Sequence, residues 1–368
     1  MTAHLIQRLT TALFLAICLA SPVQAEVVKD LYEALIPVES QSKEDRQEAL
    51  REGLVQVLIK VSGSTTLIVG EDPVVEMALE KPNTYIQQFR YRTVQAGTLN
   101  STRSTRTKKV LWIKFDEKAI NTLLRNNGQA VWGRTRPITL VWLIVAEQGK
   151  RQLLSGQDKH NAVSVLENYA KERGLPIKFP LMDLTDRSKV TLSDIWGNFE
   201  GPIMQASERY RPEAVLVGRL YKGTNGVWSA RWSIYQDGRR EDTDMDGEQL
   251  TDAINPVIGR TAEILKERFA VTTTEEKSDD VLLEVKGVKT LEQYNTVIKY
   301  LTSLTVVSKV QPYSVGNQSA GFRLTTQSGR LDVAQAVELG RVLRVSPHPV
   351  QLGDGKSQQP DLVYQLAQ

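Results

Sequence analysis

The chain has 368 residues, of which 41% are hydrophobic and 24% are charged, and its formal net charge is +3 at pH 7. This is the composition of an ordinary globular protein with enough apolar material for real cores, and the length favours two or three domains. The nearly balanced charge gives no overall field that would attract nucleic acid, which disfavours nucleic-acid-binding proteins.

Residues 1–25 have the three parts of an export signal. Arg8 supplies a positive charge, an apolar run follows over residues 9–19, and the segment ends in a Val-Gln-Ala cleavage site at Ala25. The apolar run is too short to cross a bilayer, which takes about 20 residues. We therefore expect cleavage after Ala25 and a periplasmic location. The alternative is a short N-terminal anchor that is not cleaved.

Cys18 is the only cysteine of the chain and lies inside the predicted signal. A lipoprotein signal needs a small residue before its cysteine, whereas Ile17 stands here and the apolar run continues to Leu19. A lipid anchor is therefore not expected. Removal of the signal leaves a chain without cysteine, which excludes disulfides, thiol catalysis and thiolate metal sites.

Residues 26–135 are predicted to form a mixed α+β domain. Ser42 followed by Asp45 is typical of a helix start, and Gly63 is typical of a helix end. Apolar residues recur at helical spacing between them. The other expected elements are an edge strand at 32–38, a helix at 73–80, strands at 85–94 and 110–115, and a helix ending at 126–128.

Residues 136–271 are predicted to form a three-layer α/β domain. Residues 138–145 are almost continuously apolar, as expected of a strand buried on both faces. Strands alternate with helices along the segment, which favours a sheet covered by helices. We expect strands at 138–145, 177–182, 214–220 and 228–235, and helices at 162–170, 192–210 and 250–269.

The polar segment 272–280 is predicted to be a linker. Residues 281–368 then have the β-α-β-β-α-β order of the ferredoxin-like plan. That fold is used mostly for docking or binding, and by itself it names no function. We expect strands at 281–285, 306–313, 321–326 and 362–366, and helices at 291–304 and 333–343.

Histidine is scarce in this chain. His4 leaves with the signal, His160 stands at the start of a predicted helix, and His348 lies between two prolines. A catalytic histidine must be held against a nucleophile and an orienting group, and no such pattern surrounds either. Glycine-rich phosphate loops and nucleophile elbows are also missing from the sequence. We therefore predict no catalytic residues, no cofactor and no enzyme activity.

Asp242, Asp244 and Asp246, followed by Gly247, match the first half of a calcium loop, in which alternate carboxylates converge on the ion. The full pattern requires a bidentate Glu six residues after the glycine, where Ala253 stands instead. The alternative is a polar loop between a strand and a helix, with Asp246 capping that helix. We favour the loop and keep the three aspartates as a candidate calcium site.

A basic cluster is predicted on the hairpin of the first domain. It consists of Arg90, Arg92, Arg103, Arg106, Lys108 and Lys109, interleaved with Tyr85, Phe89, Tyr91 and Trp112. Such a pattern resembles a nucleic-acid surface, but export removes most nucleic-acid partners. An anionic lipid headgroup, lipopolysaccharide or an acidic partner is the functional interpretation. The alternative is a solvated hairpin whose charges protect an edge strand.

The chain has six tryptophans, a number that invites a comparison with sugar-stacking proteins. Trp112, Trp142 and Trp232 fall within predicted apolar strands. We expect these three side chains to pack in the core.

Several short motifs occur along the first two predicted domains. They are Leu31-Tyr32-Glu33-Ala34, Pro37-Val38, Arg46, Ala49-Leu50, Val61-Ser62-Gly63, Val131-Trp132-Gly133, Arg136-Pro137, Val141-Trp142-Leu143, Phe179-Pro180-Leu181 with Asp183, Ala206-Ser207, Arg209-Tyr210 and residues 215–220. Together they resemble an uncharacterised family of exported gammaproteobacterial proteins, the domain of unknown function 2066. The resemblance implies no catalytic residues. The second domain also resembles, in fold, the α/β module of envelope proteins such as the TolB amino-terminal domain, which implies binding to other envelope proteins.

Two functions follow from these observations. The first is a soluble, periplasmic, non-catalytic adaptor for cell-envelope proteins, which does not span the membrane after cleavage. The alternative is an envelope hydrolase that acts on peptidoglycan or another glycan through carboxylates whose positions the sequence does not give. A cleft with two carboxylates of raised pKa favours the hydrolase, whereas a shallow apolar patch favours the adaptor.

Overall fold

The computed structural model of the protein describes residues 26–65, 73–95, 107–270, 279–316, 318–326, 329–340, 342–346 and 360–367. The predicted export signal, its cleavage site after Ala25 and Cys18 lie outside the described residues, as do His348 and most of the predicted linker. Within the described ranges, no helix combines the length and the apolar character needed to span a bilayer.

In the parts of the first unit that the structure describes, three helices pack against an antiparallel sheet. Its strands, in the order β2-β4-β3, are β2 (Glu33–Pro37), β3 (Ile86–Gln95) and β4 (Thr107–Phe115), and its helices are α1 (Lys43–Ser62), α2 (Pro73–Glu80) and α3 (Glu117–Asn126). A two-residue strand, β1 (Glu26–Val27), precedes them. The core is formed by the inward residues of β4, such as Leu111 and Ile113, against Leu54 and Leu58 of α1.

The predicted ends of α1 are confirmed, with one difference in the capping contacts. The Ser42 side chain accepts a hydrogen bond from the backbone N–H of Asp45 at 3.0 Å. The Asp45 carboxylate reaches past Ser42 and accepts from the N–H of Ser40 at 2.8 Å. Gly63 ends the helix in a left-handed conformation, with φ of 71°, which glycine adopts without steric cost.

The second unit has a mixed sheet with helices on both faces. Its strands are β6 (Thr139–Glu147), β7 (Lys150–Leu154), β8 (Ile177–Lys178), β9 (Ala214–Lys222), β10 (Trp228–Gln236) and β11 (Arg239–Gly247), in the order β11-β10-β9-β6-β7, with β8 also pairing with β6. They follow a short strand, β5 (Thr135–Arg136), which pairs with β1. The helices are α4 (Asn161–Glu172), α5 (Leu184–Lys189), α6 (Leu192–Trp196), α7 (Glu200–Ser207) and α8 (Leu250–Phe269).

Strand β6 is buried on both faces, as its apolar run predicted. Val141 and Leu143 point into the core shared with α4 and α8. Trp142 and Ile144 point into the opposite core, which α6 and α7 cover. The alternation of side chains along a strand thus supplies both layers from one segment.

Two hairpin partners in the second unit were not predicted from the sequence. Strand β7 follows a turn at Gln148 and Gly149, and β11 follows a turn at Asp237 and Gly238, all four residues having positive φ. Such turns match the twist of a hairpin, and Asp-Gly is a strong signal for one. Strand β11 is polar apart from Met245, and the apolar residues of β7 are limited to the adjacent Leu153 and Leu154. Neither strand shows the apolar alternation on which the strand predictions depended.

The predicted helix at 192–210 and the predicted strand at 177–182 are both wrong in extent. The helix is broken between α6 and α7 at Asn198, which has a left-handed backbone with φ of 55°. The strand shortens to Ile177–Lys178. Helix α5 occupies residues to which no element was assigned from the sequence.

The described residues of the third unit form a five-stranded sheet and two helices. Its strands are β12 (Asp279–Lys286), β13 (Val307–Gly316), β14 (Ser319–Thr326), β15 (Leu343–Val345) and β16 (Leu362–Leu366), in the order β13-β14-β12-β16-β15, and its helices are α9 (Leu291–Ser303) and α10 (Arg330–Leu339). The predicted order lacked β15, because α10 ends earlier than expected and releases Leu343 into a strand. As a result, β16 pairs parallel to β12 and antiparallel to β15.

Arg136 joins the first unit to the second. Its side chain is fully buried and donates hydrogen bonds to the carbonyl oxygen of Lys60 at 2.5 Å and to that of Gly174 at 2.8 Å. It also donates to the carbonyls of Gly133, Trp132 and Arg173. The carbonyls near the ends of α1 and α4 lack partners within their helices, so one guanidinium satisfies groups from both units.

The third unit contacts the other two through backbone acceptors. Arg125 of α3 donates to the carbonyl oxygen of Thr305 at 3.1 Å. Gln335 of α10 donates to the carbonyl oxygen of Arg268 at 2.8 Å. The first hydrogen bond joins the first unit to the third, and the second joins the third unit to the end of α8 in the second unit. The third unit therefore lies against the first and the second.

Arg136→Met should lower the free energy of unfolding by at least about 3 kcal/mol, because it leaves several buried carbonyls without a donor. Urea unfolding followed by circular dichroism measures the change. Arg134→Met is the matched control, since Arg134 makes an ion pair with Glu117 at 2.7 Å at a more exposed position and should cost about 1 kcal/mol or less. Equal losses in the two variants would contradict the role given to Arg136.

Candidate functional site

Trp112 lies on the outer face of the first sheet beneath two arginines. Its neighbours across the strands are Leu35 on one side and Arg90 on the other. The guanidinium carbons of Arg90 and Arg92 lie 4.5 Å and 4.7 Å from the centroid of the indole ring. The indole N–H donates to Oε2 of Glu33 at 2.9 Å. The ring is therefore held in place from three sides, and 7% of Trp112 is exposed.

The basic cluster predicted on this hairpin is only partly brought together. Arg90, Arg92 and Lys108 occupy alternate positions that share the outer face with Trp112, whereas Lys109 pairs with Thr93 on the opposite face. Arg103 and Arg106 lie outside the described residues. Lys114 lies on the outer face as well, and the sequence analysis omitted it. We call Arg90, Arg92, Lys108, Trp112 and Lys114 the outer-face cluster.

The expectation that three tryptophans pack in the core is confirmed for two of them. Trp142 and Trp232 are fully buried, and their indole N–H groups donate to Oγ of Ser207 and to the carbonyl of Ala253, each at 2.9 Å. Trp112 is buried too, but under charged side chains on the outer face of its sheet. An arginine at every second position of the neighbouring strand was the signal for this arrangement.

A cavity of about 380 Å³ opens beside Trp112, where the first sheet meets α1 and α4. Leu35, Val94, Val110 and Trp112 form an apolar part of its wall. Charged side chains from α1, α4, β2, β3 and the segment before β2 also line the cavity. The sequence did not predict the cavity, because its walls come from segments far apart along the chain.

Lys60 is the buried cation of this cavity, with 5% of the residue exposed. Its ammonium donates to the carbonyl oxygen of Glu33 at 2.7 Å and to that of Asp30 at 3.4 Å. Burial lowers the pKa of Lys60 from 10.5 to about 8, although the charge of Asp30 opposes this change. A lysine next to the apolar residues Val57 and Val61 of α1 was the signal in the sequence.

Two carboxyl groups of the cavity, those of Glu172 and Asp30, have pKa values displaced in opposite directions. Burial raises the pKa of Glu172, and the charge of Lys60 only partly opposes the rise. Burial also acts to raise the pKa of Asp30, but the charges of Lys60 and Lys171 outweigh it and hold this pKa below its ordinary value. Asp30 forms an ion pair with Lys171 at 3.2 Å.

The three aspartates of the candidate calcium site do not form a loop. They lie at alternate positions of strand β11, on its exposed side. Alternate residues of a strand are about 6.6 Å apart, and Asp242 is hydrogen-bonded to Arg240 at 2.9 Å. Among the described residues, no three His, Cys, Asp or Glu side chains come together as a metal site. The predicted loop and the capping role of Asp246 are wrong, since Gln249 precedes α8 at the N-cap.

His160 takes a structural position. It is the N-cap of α4, where its Nδ1 accepts a hydrogen bond from the backbone N–H of Ala162 at 3.1 Å. Its Nε2 lies 3.5 Å from Oε2 of Glu147. Both ring nitrogens are thus used by the start of a helix and its neighbour, and no nucleophile is among these partners.

The first unit is similar to a family of unknown function. A family described as Domain of unknown function (DUF8605) matches residues 25–133, which is a different description from the family that the motifs resembled. No curated protein matches the chain. A crystal structure of homoserine dehydrogenase from S. aureus is similar at 11% identity over 47% of this chain and 69% of that chain, with a TM-score of 0.13, too low to support a shared fold.

Lys60→Met should remove a pH dependence of stability. Between pH 8 and pH 10.5 the unfolded chain binds a proton on Lys60 that the folded chain does not. The free energy of unfolding of the wild type therefore rises with pH across this window, by up to about 3 kcal/mol, relative to the variant. Below about pH 8, Lys60 is protonated in both the folded and the unfolded chain. The cost of burying its charge then lowers the free energy of unfolding by its full amount.

Urea unfolding of the wild type and Lys60→Met at about pH 7 and about pH 10 measures this difference. Effects of other titrating groups cancel in the comparison. Lys150→Met, at an exposed position of β7, is the matched control and should give the same difference at both pH values. A Lys60→Met difference that does not change with pH would show that the ammonium is not destabilised by burial.

Proposed function

We propose that this chain is an exported, periplasmic binding protein that docks onto other proteins of the cell envelope and has no catalytic activity. The observation that carries the proposal is the pair of arginines stacked on Trp112. Stacking on an aromatic ring restricts a guanidinium while its N–H groups remain at its edges, where they bind carboxylates in a bidentate manner. Aromatic and arginine side chains are also the residues most enriched in binding hot spots.

The charge of the outer-face cluster favours an acidic partner. Among the described residues, Arg90, Arg92, Lys108 and Lys114 make no ion pair with a carboxylate of this chain. Arg90, Arg92 and Lys108 are exposed. The four cations share this face with the Glu33 carboxylate, which accepts from Trp112, so positive charge is in excess. An excess of positive charge on one face of a sheet increases the rate at which an oppositely charged partner associates. An acidic segment of an envelope protein fits this face.

Three resemblances support the proposal. The motifs resemble those of the domain of unknown function 2066, a family of exported gammaproteobacterial proteins, and this resemblance supports export. The helices on both faces of the second sheet suit a TolB-N-like module, and the third unit suits a ferredoxin-like module with an added strand. We propose boundaries for these units at 26–135, 136–271 and 281–368, with removal of residues 1–25.

Photo-crosslinking in intact cells tests this function. A photoreactive residue replacing Val94, which is adjacent to the cluster, should capture a specific envelope protein, and mass spectrometry should find a mature chain that begins at Glu26. Arg90→Glu combined with Arg92→Glu should reduce the capture at least about tenfold, because both cationic contacts become repulsive.

Lys150→Glu combined with Arg239→Glu is the matched control. These residues are exposed on strands β7 and β11 of the second unit, and reversing their charge should leave the capture unchanged. Equal capture by the two double variants would contradict a role for the outer-face cluster. Recovery of an intact chain from the cytosolic fraction would contradict the periplasmic location.

A second candidate function is hydrolysis of peptidoglycan or another glycan. One observation favours it: Asp30 and Glu172 line the same cavity with pKa values displaced in opposite directions. This is the pattern of an acid paired with a charged carboxylate in glycoside hydrolases. The charged carboxylate of this pair, Asp30, is already held in an ion pair with Lys171. It is therefore less available to a substrate, and we rank hydrolysis as the second candidate.

Release of soluble fragments from purified peptidoglycan separates the two functions. The adaptor should release none. A hydrolase should lose at least about a hundredfold in rate in Glu172→Gln but keep its rate in Glu167→Gln. Glu167 is the matched control because burial also raises its pKa and it lies on the same helix, α4, outside the cavity wall.

A further inference from the structure

We infer that the cavity beside Trp112 binds a small organic carboxylate, with its charged group against Lys60 and Arg92 and its apolar body against Leu35, Val94 and Val110. The inference does not depend on docking to an envelope protein. The small carboxylate would bind in the cavity next to the outer-face cluster, whereas the acidic segment of an envelope protein would bind on the cluster itself.

The size of the cavity suits a small molecule. Its volume of about 380 Å³ falls within the range of about 300–1,000 Å³ that is usual for small-ligand sites. Such sites combine an apolar lining with a few polar groups that orient the ligand. Here Leu35, Val94 and Val110 supply the lining. Arg92 comes from the same strand as Val94, and Lys60 comes from α1.

The charges that are not already paired favour an anion. Asp30 is occupied by Lys171 at 3.2 Å, and the Glu33 carboxylate accepts from the indole of Trp112 at 2.9 Å. Within the described part of the chain, neither Lys60 nor Arg92 has a carboxylate within ion-pair distance. Glu172 is the remaining acid, and burial raises its pKa. In this part of the chain, one carboxyl group without an ion-pair partner therefore faces two cations without one.

Lys60 has one donor left for a ligand. An ammonium has three N–H donors, and two of them point to the carbonyl oxygens of Asp30 and Glu33. A charge in a buried site interacts more strongly with a partner than it does in water. A carboxylate beside Lys60 would therefore offset part of the cost of burying the ammonium.

This arrangement predicts a measurable proton uptake. A carboxylate next to Lys60 stabilises the charged amine and raises its pKa from about 8. Binding at about pH 8.5 should consequently take up a fraction of a proton per ligand. Calorimetric titrations in two buffers of different ionisation enthalpy measure this uptake, which a ligand bound elsewhere on the surface would not produce.

The ligands to be titrated are hexanoate and benzoate, with hexanol and hexylamine as a neutral and a cationic comparison of the same size. Hexanoate and benzoate should bind the full mature chain with dissociation constants below about 1 mM, and the alcohol and the amine at least about tenfold more weakly. Absence of binding by both acids, or equal binding of hexylamine, would overturn the inference.

Three variants locate the site. Arg92→Gln removes an exposed charge and should weaken hexanoate at least about fivefold, and Lys60→Met should weaken it at least about tenfold and abolish the proton uptake. Val94→Trp fills the cavity on a strand that tolerates aromatic residues and should also abolish binding. Lys150→Met should change nothing.

If Lys60→Met does not fold, Arg92→Gln and Val94→Trp still test whether hexanoate binds in the cavity, because both leave the buried amine of Lys60 in place. Unchanged hexanoate binding in both of these folded variants would overturn the assignment of the cavity. Failure of the envelope crosslink together with retained hexanoate binding would overturn the adaptor proposal alone.

Discussion

The hydrogen bonds of one buried guanidinium determine how the first two units meet. Arg136 donates to the carbonyls of Lys60 in α1 and of Arg173 and Gly174 after α4, and its guanidinium carbon lies 4.2 Å from the centroid of Trp132. Burial disfavours its charge and lowers its pKa, yet no carboxylate is needed because the helix-end carbonyls carry partial negative charge. The relative position of α1 and α4 follows from these contacts.

The cavity beside Trp112 is a consequence of that junction. The carbonyl oxygen of Lys60 accepts a hydrogen bond from Arg136, and the ammonium of Lys60 donates to the carbonyls of Asp30 and Glu33. Helix α4 brings Lys171 and Glu172 to the same space from the second unit. Residues of both units line the cavity. A ligand that binds there would therefore stabilise the relative position of α1 and α4 that the hydrogen bonds of Arg136 maintain.

Apolar periodicity predicted the cores well and the polar edges poorly. The strand at β6 and the helix from Ser42 to Gly63 followed from patterns in adjacent residues. Strand β11 is almost entirely polar and β7 has only the adjacent Leu153 and Leu154, so the turns before the two strands were the signals for them. The cavity depended on contacts between Lys60 and residues about thirty positions before it, and such contacts are not visible in local patterns.

The polar strand β11 has a further consequence for how the protein behaves among its own copies. It is the last strand of its sheet, and its outward backbone groups are a template for a strand from another molecule. Asp242, Asp244 and Asp246 project along its exposed side. Charged side chains on an edge strand disfavour pairing with a strand from another molecule, and Arg240 and these three aspartates place four charges on one side of this strand.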